Sequence, residues 1–244
     1  MAWIVARWEE LDLLFQVPHW GAVGFSLVFG LLWTRFGPPL RLFRLSALIA
    51  FGAGILVFPI TVIWLQPDLQ SSSRDLLISL AGQESVDGRP LLTGAYSSLV
   101  RAAVQEIVLL FAILLVILAT GRRRDRSAVV TIGVMTALGY ALFESMRFVT
   151  PALEGGLSAQ SAIPLVRELF LVGAHVGAGM ILARAWIDGR FVRYFAIATL
   201  LHAALAYEAV LQVSGWSPGS SLAYLSAVAA LAFFWGLSIA TGRR

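Results

Sequence analysis

The chain has 244 residues, 59% of them hydrophobic and 13% charged, with a formal net charge of +4 and a mean hydropathy of +0.82. A soluble domain carries about 25% charged residues, so the composition excludes an ordinary soluble globular protein and specifies a polytopic membrane protein. All 18 basic residues are arginine and there is no cysteine, which excludes a disulfide, a thiolate zinc site and a cysteine nucleophile.

The N-terminal stretch MAWIVARWEELDLLF lacks a basic n-region and carries Glu9, Glu10 and Asp12, so no cleavable signal peptide is expected. Ile4, Trp8, Leu11 and Phe15 recur at helical spacing before Pro18. That pattern reads equally as a short interfacial helix or as an extension of the helix after it. Taking roughly 20 residues per crossing, seven apolar runs are long enough to span, near residues 17–35, 43–65, 94–120, 127–149, 162–186, 191–213 and 219–241. The first is the weakest, being glycine-rich and ending at Gly37-Pro38-Pro39.

The arginines sort between these runs. Arg35, Arg41 and Arg44 follow the first span; Arg122, Arg123, Arg124 and Arg126 the third; Arg184, Arg190 and Arg193 the fifth; Arg243 and Arg244 end the chain. Alternation of arginine-rich with arginine-poor linkers is the positive-inside pattern, so the positive charge is a topology signal and not a nucleic-acid signal. The expected fold is an all-α polytopic membrane helix bundle of about seven transmembrane helices, N-terminus outside and C-terminus cytoplasmic. Its expected parts are residues 1–93 (interfacial helix, two spans and an outer loop), a four-helix core at 94–213, and a final span with a basic tail at 214–244. Within the outer connection, Gln66–Pro90, the Ser71-Ser72-Ser73 run predicts a cap for a short helix at Arg74–Ala81, in a segment that reads as a lid or simply a loop.

Four side chains are out of place in apolar spans: Glu106, Glu144, His175 and His202. A charged side chain at bilayer depth costs roughly 2.5–3.5 kcal/mol on insertion scales and usually faces a bundle interior. Each also has a structural reading. Glu106, about 18 Å along the helix from Gly94, and Arg101 one turn further out can serve an ion pair to another helix. Glu144 can pair with Arg147 on its own helix face. His175, within GAHVGAG, and His202, within LLHAALAYE, can each make a helix–helix hydrogen bond among small residues. As a set on four consecutive spans they point to chemistry. Carboxylates and imidazoles activate water and stabilise developing charge; the same set could hold zinc with an open position, although no HExxH occurs. Proton or ion transport would use the same residue types.

The residues Gln105-Glu106, Gly139-Tyr140-Ala141 followed by Glu144-Ser145, Arg167 eight residues before His175, and Leu201-His202 together resemble the PrsW-type intramembrane proteases, related to the CAAX prenyl endopeptidases. The resemblance covers roughly residues 97–211, with motif order and loop lengths intact. It implies an intramembrane endopeptidase of the plasma membrane, of bacterial type, acting on a membrane-anchored protein or peptide. Glu106 and Glu144 would then share water activation and metal or proton handling, and His175 and His202 would orient water and stabilise the oxyanion. Gln105, Arg167 and Tyr140 would support the site, with Arg167 bracing the outer end of the fifth span. Glu168 either helps admit substrate or is solvated at the interface. Four positions depart from the family pattern: Gln105 stands for the first acid of a Glu-Glu pair, Leu109 for a lysine, Ser145 for an asparagine, and Ala206 for a polar residue. An amide cannot take a proton from water at neutral pH, so another group must act as base. The rival expectation is a non-catalytic membrane scaffold or accessory subunit that keeps the fold. A small transporter is a third reading, opposed by the absence of an internal repeat.

Overall fold

Apolar runs bounded by glycine, proline and arginine fold as helices, because inside a bilayer only an intrasegment ladder satisfies every backbone N–H and C=O. The computed structural model describes residues 20–38, 40, 44–123, 125–154 and 159–242, apart from the side chains at 20, 147, 148, 151, 152, 154 and 159–161. The expected interfacial helix before residue 18 lies outside the described residues, as do Arg41, Arg124, Arg243 and Arg244. All regular structure among the described residues is helical: α1 (Trp20–Phe36), α2 (Leu45–Pro59), a π-helical turn (Ile60–Leu65), α3 (Gln66–Ala81), α4 (Gln83–Asp87), α5 (Pro90–Ala119), α6 (Arg126–Glu154), α7 (Ala159–Asp188), α8 (Phe191–Ala206), α9 (Glu208–Val213) and α10 (Pro218–Thr241). The chain is an all-α, multi-pass membrane bundle.

Six helical stretches are long and apolar enough to cross a membrane, beginning at Leu45, Pro90, Arg126, Ala162, Phe191 and Pro218. The seventh expected span is the shorter apolar helix Gly21–Phe36, whose 16 residues reach about 24 Å at 1.5 Å each, less than a bilayer core of about 30 Å.

The sequence misplaces the start of the outer helix. The predicted helix Arg74–Ala81, capped by serines, instead runs from Gln66 and continues α2 through the π turn as one stretch, Leu45–Ala81. Pro59 and Pro67 remove two backbone donors, and the widened turn between them absorbs the defect, with the Gln66 N–H bonding to Thr61 O. Ser71 and Ser73 sit inside this helix and donate their hydroxyls to the carbonyls of Asp68 and Gln70 three residues back. At 37 residues the stretch is about 55 Å long, so its polar end, which buries no side chain, stands beyond the hydrocarbon.

Three glycine seams set how closely the bundle packs. Gly54 of α2 lies on Thr136 O and Gly139 of α6 on Phe51 O, so a methyl added at either would come within 2.0 Å. Gly133 of α6 and Gly179 of α7 approach each other's carbonyls in the same way, while Gly177 of α7 lies on Ala232 O and Gly236 of α10 on Gly177 O. Helices in lipid associate through such small-residue contacts, since there is no water to expel between them. Helix α7 therefore lies between α6 and α10, and α5 packs on α8. Helix α1 closes one side, where Trp33 Nε1 donates to Leu169 O at 2.6 Å and Ser26 Oγ to Ser145 Oγ at 2.7 Å.

Candidate functional site

These packings bring Glu106 of α5, Glu144 of α6, His175 of α7 and His202 of α8 together in the bundle interior. His175 Nε2 lies 2.6 Å from Glu144 Oε2, and His202 Nδ1 lies 2.7 Å from Glu106 Oε1. The two imidazoles meet edge to face, with ring centroids 5.2 Å apart and planes at 86°. All four side chains are buried, Glu106 to 1% exposure. An ionised carboxylate at such a depth requires a charge-assisted partner, and here each has an imidazole N–H that donates to it. A neutral ring so held leaves Nδ1 of His175 and Nε2 of His202 as its free nitrogen, and a protonated ring donates from both nitrogens.

The two pairs differ in their surroundings. Glu144 also accepts from Arg101 at 3.3 Å, through its other oxygen. Arg101 thus serves the carboxylate of the neighbouring helix; the side chain of Arg147, the partner expected from sequence, lies outside the described residues. Glu106 Oε2 is buried with no hydrogen-bond partner. A small cavity of about 10 Å³, lined by Glu106, His175 and His202, has room for about one water molecule. Its other walls are apolar, from Ala174, Ala178, Ala198, Leu201, Leu205 and Ala232.

Tyr140 lies against the far side of this group, fully buried, 5.5 Å from the His175 ring and edge-on to Phe58 at 5.1 Å. Gln105 does not join it. Adjacent residues on a helix point about 100° apart, and while Glu106 meets His202, Gln105 Nε2 donates to Gln66 Oε1 of α3 at 3.1 Å. Arg167 belongs to a second cluster nearer the helix ends, where it contacts Glu168 at 2.8 Å and Glu208 of α9 at 3.3 Å. Gln212 also donates to Glu208. Glu168 is buried, not solvated.

Sequence reasoning did not single out Glu208, Gln66, or the Arg101–Glu144 pairing. For Glu208 a signal exists, since it is a carboxylate near the end of one apolar run opposite Arg167 in the adjacent one. For Gln66 there is none, because an interfacial glutamine is ordinary.

Among the described residues, no group of three or more histidine, aspartate or glutamate side chains is placed to hold a metal ion. Zinc needs three protein ligands around an open position, and the described side chains, as placed, do not present three to one point. The arrangement does not fit a zinc centre. What it does is bring two imidazoles, each held by a carboxylate, to the wall of one small buried cavity. No protein-family model, curated protein or solved structure matches the chain.

Proposed function

We propose that this protein is an intramembrane endopeptidase, a divergent relative of the PrsW-type proteases in a bacterial plasma membrane, hydrolysing a membrane-anchored protein. The observation that carries the reading is the pair of carboxylate–imidazole contacts, drawn from four helices, that meet around a space for one water. In this reading the Glu106–His202 pair is the base. Water attacks the scissile carbonyl carbon, its proton passes to His202 Nε2, and Glu106 offsets the imidazolium that forms. Across the cavity His175, held by Glu144 and carried as the imidazolium, keeps Nε2–H on the carboxylate and donates Nδ1–H to the oxyanion. The proton held by His202 then goes to the leaving amine as the C–N bond breaks. Gln105 takes no part, which accounts for an active enzyme without the first acid of the family's pair.

The test is a comparison of peptide termini in membranes of cells carrying the wild type or Glu144→Gln. New termini inside or beside apolar segments, present with the wild type and missing with the variant, are expected. Their absence from the wild type sinks the proposal.

A second reading, a non-catalytic scaffold, is favoured by the same contacts seen differently: each of the four side chains already has a partner within the fold. It requires that Glu144→Gln leave cellular function intact while Gly177→Leu, which drives a side chain into the Ala232 carbonyl, destroys it.

A further inference from the structure

The arginine-rich end of the bundle carries a separate cavity of about 360 Å³ where the end of α7, the first turn of α8 and the end of α10 meet. Arg184, Arg190 and Arg193 line it with one carboxylate, Asp188. That carboxylate is committed, since Tyr194 Oη donates to it at 2.7 Å and Arg184 Nε approaches it at 2.9 Å. Arg190 and Arg193 are exposed and have no ion-pair partner among the described residues. The opening N–H groups of α8 lie at the same place and add to the positive field, as at any helix start. The opposite wall is different in kind. Ile197, Ile239 and the half-exposed Trp235 line the cavity, and Phe234 and Leu231 of α10 continue outward as exposed apolar surface.

Two exposed guanidinium groups outside any ion pair among the described residues, beside an apolar wall that runs on into the lipid-facing surface, match a ligand that is anionic at one end and hydrocarbon at the other. A soluble phosphate would use the arginines and leave the wall unexplained. Aromatic residues favour the headgroup level, and basic pockets between membrane helices suit phosphate headgroups. We propose that this cavity binds the phosphodiester headgroup of an anionic phospholipid, whose acyl chains lie along the exposed face of α10. The inference is independent of the hydrolytic reading.

The experiment is native mass spectrometry of the full chain released from neutral detergent, titrated with phosphatidylglycerol or phosphatidylcholine of identical acyl chains. Saturable retention of one phosphatidylglycerol, with phosphatidylcholine lost, is expected. Arg190→Gln with Arg193→Gln should weaken retention about twenty-fivefold, at roughly fivefold for each arginine near the surface. Arg122→Gln with Arg123→Gln, which removes the same charge at the same end but outside the cavity, should not. Arg190→Lys with Arg193→Lys should retain most of the binding, which separates loss of charge from loss of fold. Equal retention of the two lipids, or unchanged retention in the glutamine pair, overturns the proposal. So does displacement by inorganic phosphate as effective as that by the lipid, which would make the site one for a soluble anion.

Discussion

His175 and His202 stand edge to face, 5.2 Å between ring centroids, each held by a carboxylate from a different helix. The contact makes two local pairs into one group, because neither ring can turn without disturbing the other. It also defines what each carboxylate contributes. Glu144 is shared between an imidazole and Arg101, whereas Glu106 has one oxygen left unmet beside a space for water.

The unmet oxygen has a consequence for stability. A buried carboxylate oxygen without a partner costs roughly 1–3 kcal/mol, and Glu106→Gln removes the charge while keeping the shape. The variant should unfold at the wild-type temperature or above it, and cleave at least about a hundredfold more slowly, the usual scale for loss of a general base. Thermal unfolding in detergent and a cleavage rate on the same preparation check both halves.

Arg101 and Glu144 should be energetically coupled. Arg101→Gln and Glu144→Gln, singly and together, form a double-mutant cycle whose interaction energy should be about 1 kcal/mol for residues in contact. The figure is held low because Arg101 is about one-third exposed. Denaturant unfolding measures it. A coupling of zero would mean that Glu144 depends on His175 alone.

The glycine seams give a graded test of packing. Gly139→Ala puts a methyl 2.0 Å from Phe51 O, and Gly54→Ala one 2.0 Å from Thr136 O. Each should destabilise by about 1–3 kcal/mol or more, since backbone cannot move aside as a side chain can. Gly52→Ala, on the same helix as Gly54, meets nothing within 4 Å and should be neutral or stabilising by up to about 1 kcal/mol through helix propensity. The unfolding midpoints of Gly139→Ala and Gly54→Ala should both fall below that of Gly52→Ala.

The cluster around Arg167 should behave as a structural latch. Glu168 and Glu208 are both buried, at 1% and 2% exposure, and both depend on Arg167. Arg167→Ala takes the ion pair from Glu168 and leaves Glu208 with Gln212 as its donor, and should cost about 3–5 kcal/mol, the range for breaking a buried pair. Adding Glu168→Gln and Glu208→Gln should recover most of the loss in the same unfolding assay. Failure to recover would mean that Arg167 acts through packing and not through charge.

The fold class was legible because long apolar runs flanked by arginine and glycine leave no soluble alternative, and six such runs are helices long enough to span. The first run was ambiguous for a physical reason: at α1 the apolar helix is simply short. The Gln66–Ala81 helix was hidden because Pro67 and the serine run are ordinary stop and cap signals, and the π turn that accommodates the proline has no sequence signature. Glu106, Glu144, His175 and His202 were legible as misfits, since burying them without partners is costly on any helix. Their pairings were not. Whether Glu144 meets an arginine of its own helix or Arg101 of α5 depends on how α5 and α6 rotate about their axes. The same rotation sends Gln105 to Gln66 while its neighbour Glu106 faces His202, a divergence that only the packed bundle decides.

The most direct test of the hydrolytic account uses the purified protein in lipid, with a single-span reporter carrying a segment found among the cellular termini, in water enriched in ¹⁸O. The rate of label entry into the new carboxyl terminus would be measured for the wild type, Glu106→Gln, Glu144→Gln and the double variant. The account predicts label incorporation by the wild type, a fall of at least about a hundredfold in each single variant, and a double variant little slower than either, since residues acting as one unit are not additive. Label entering at equal rates in all four proteins, or in none, would contradict it.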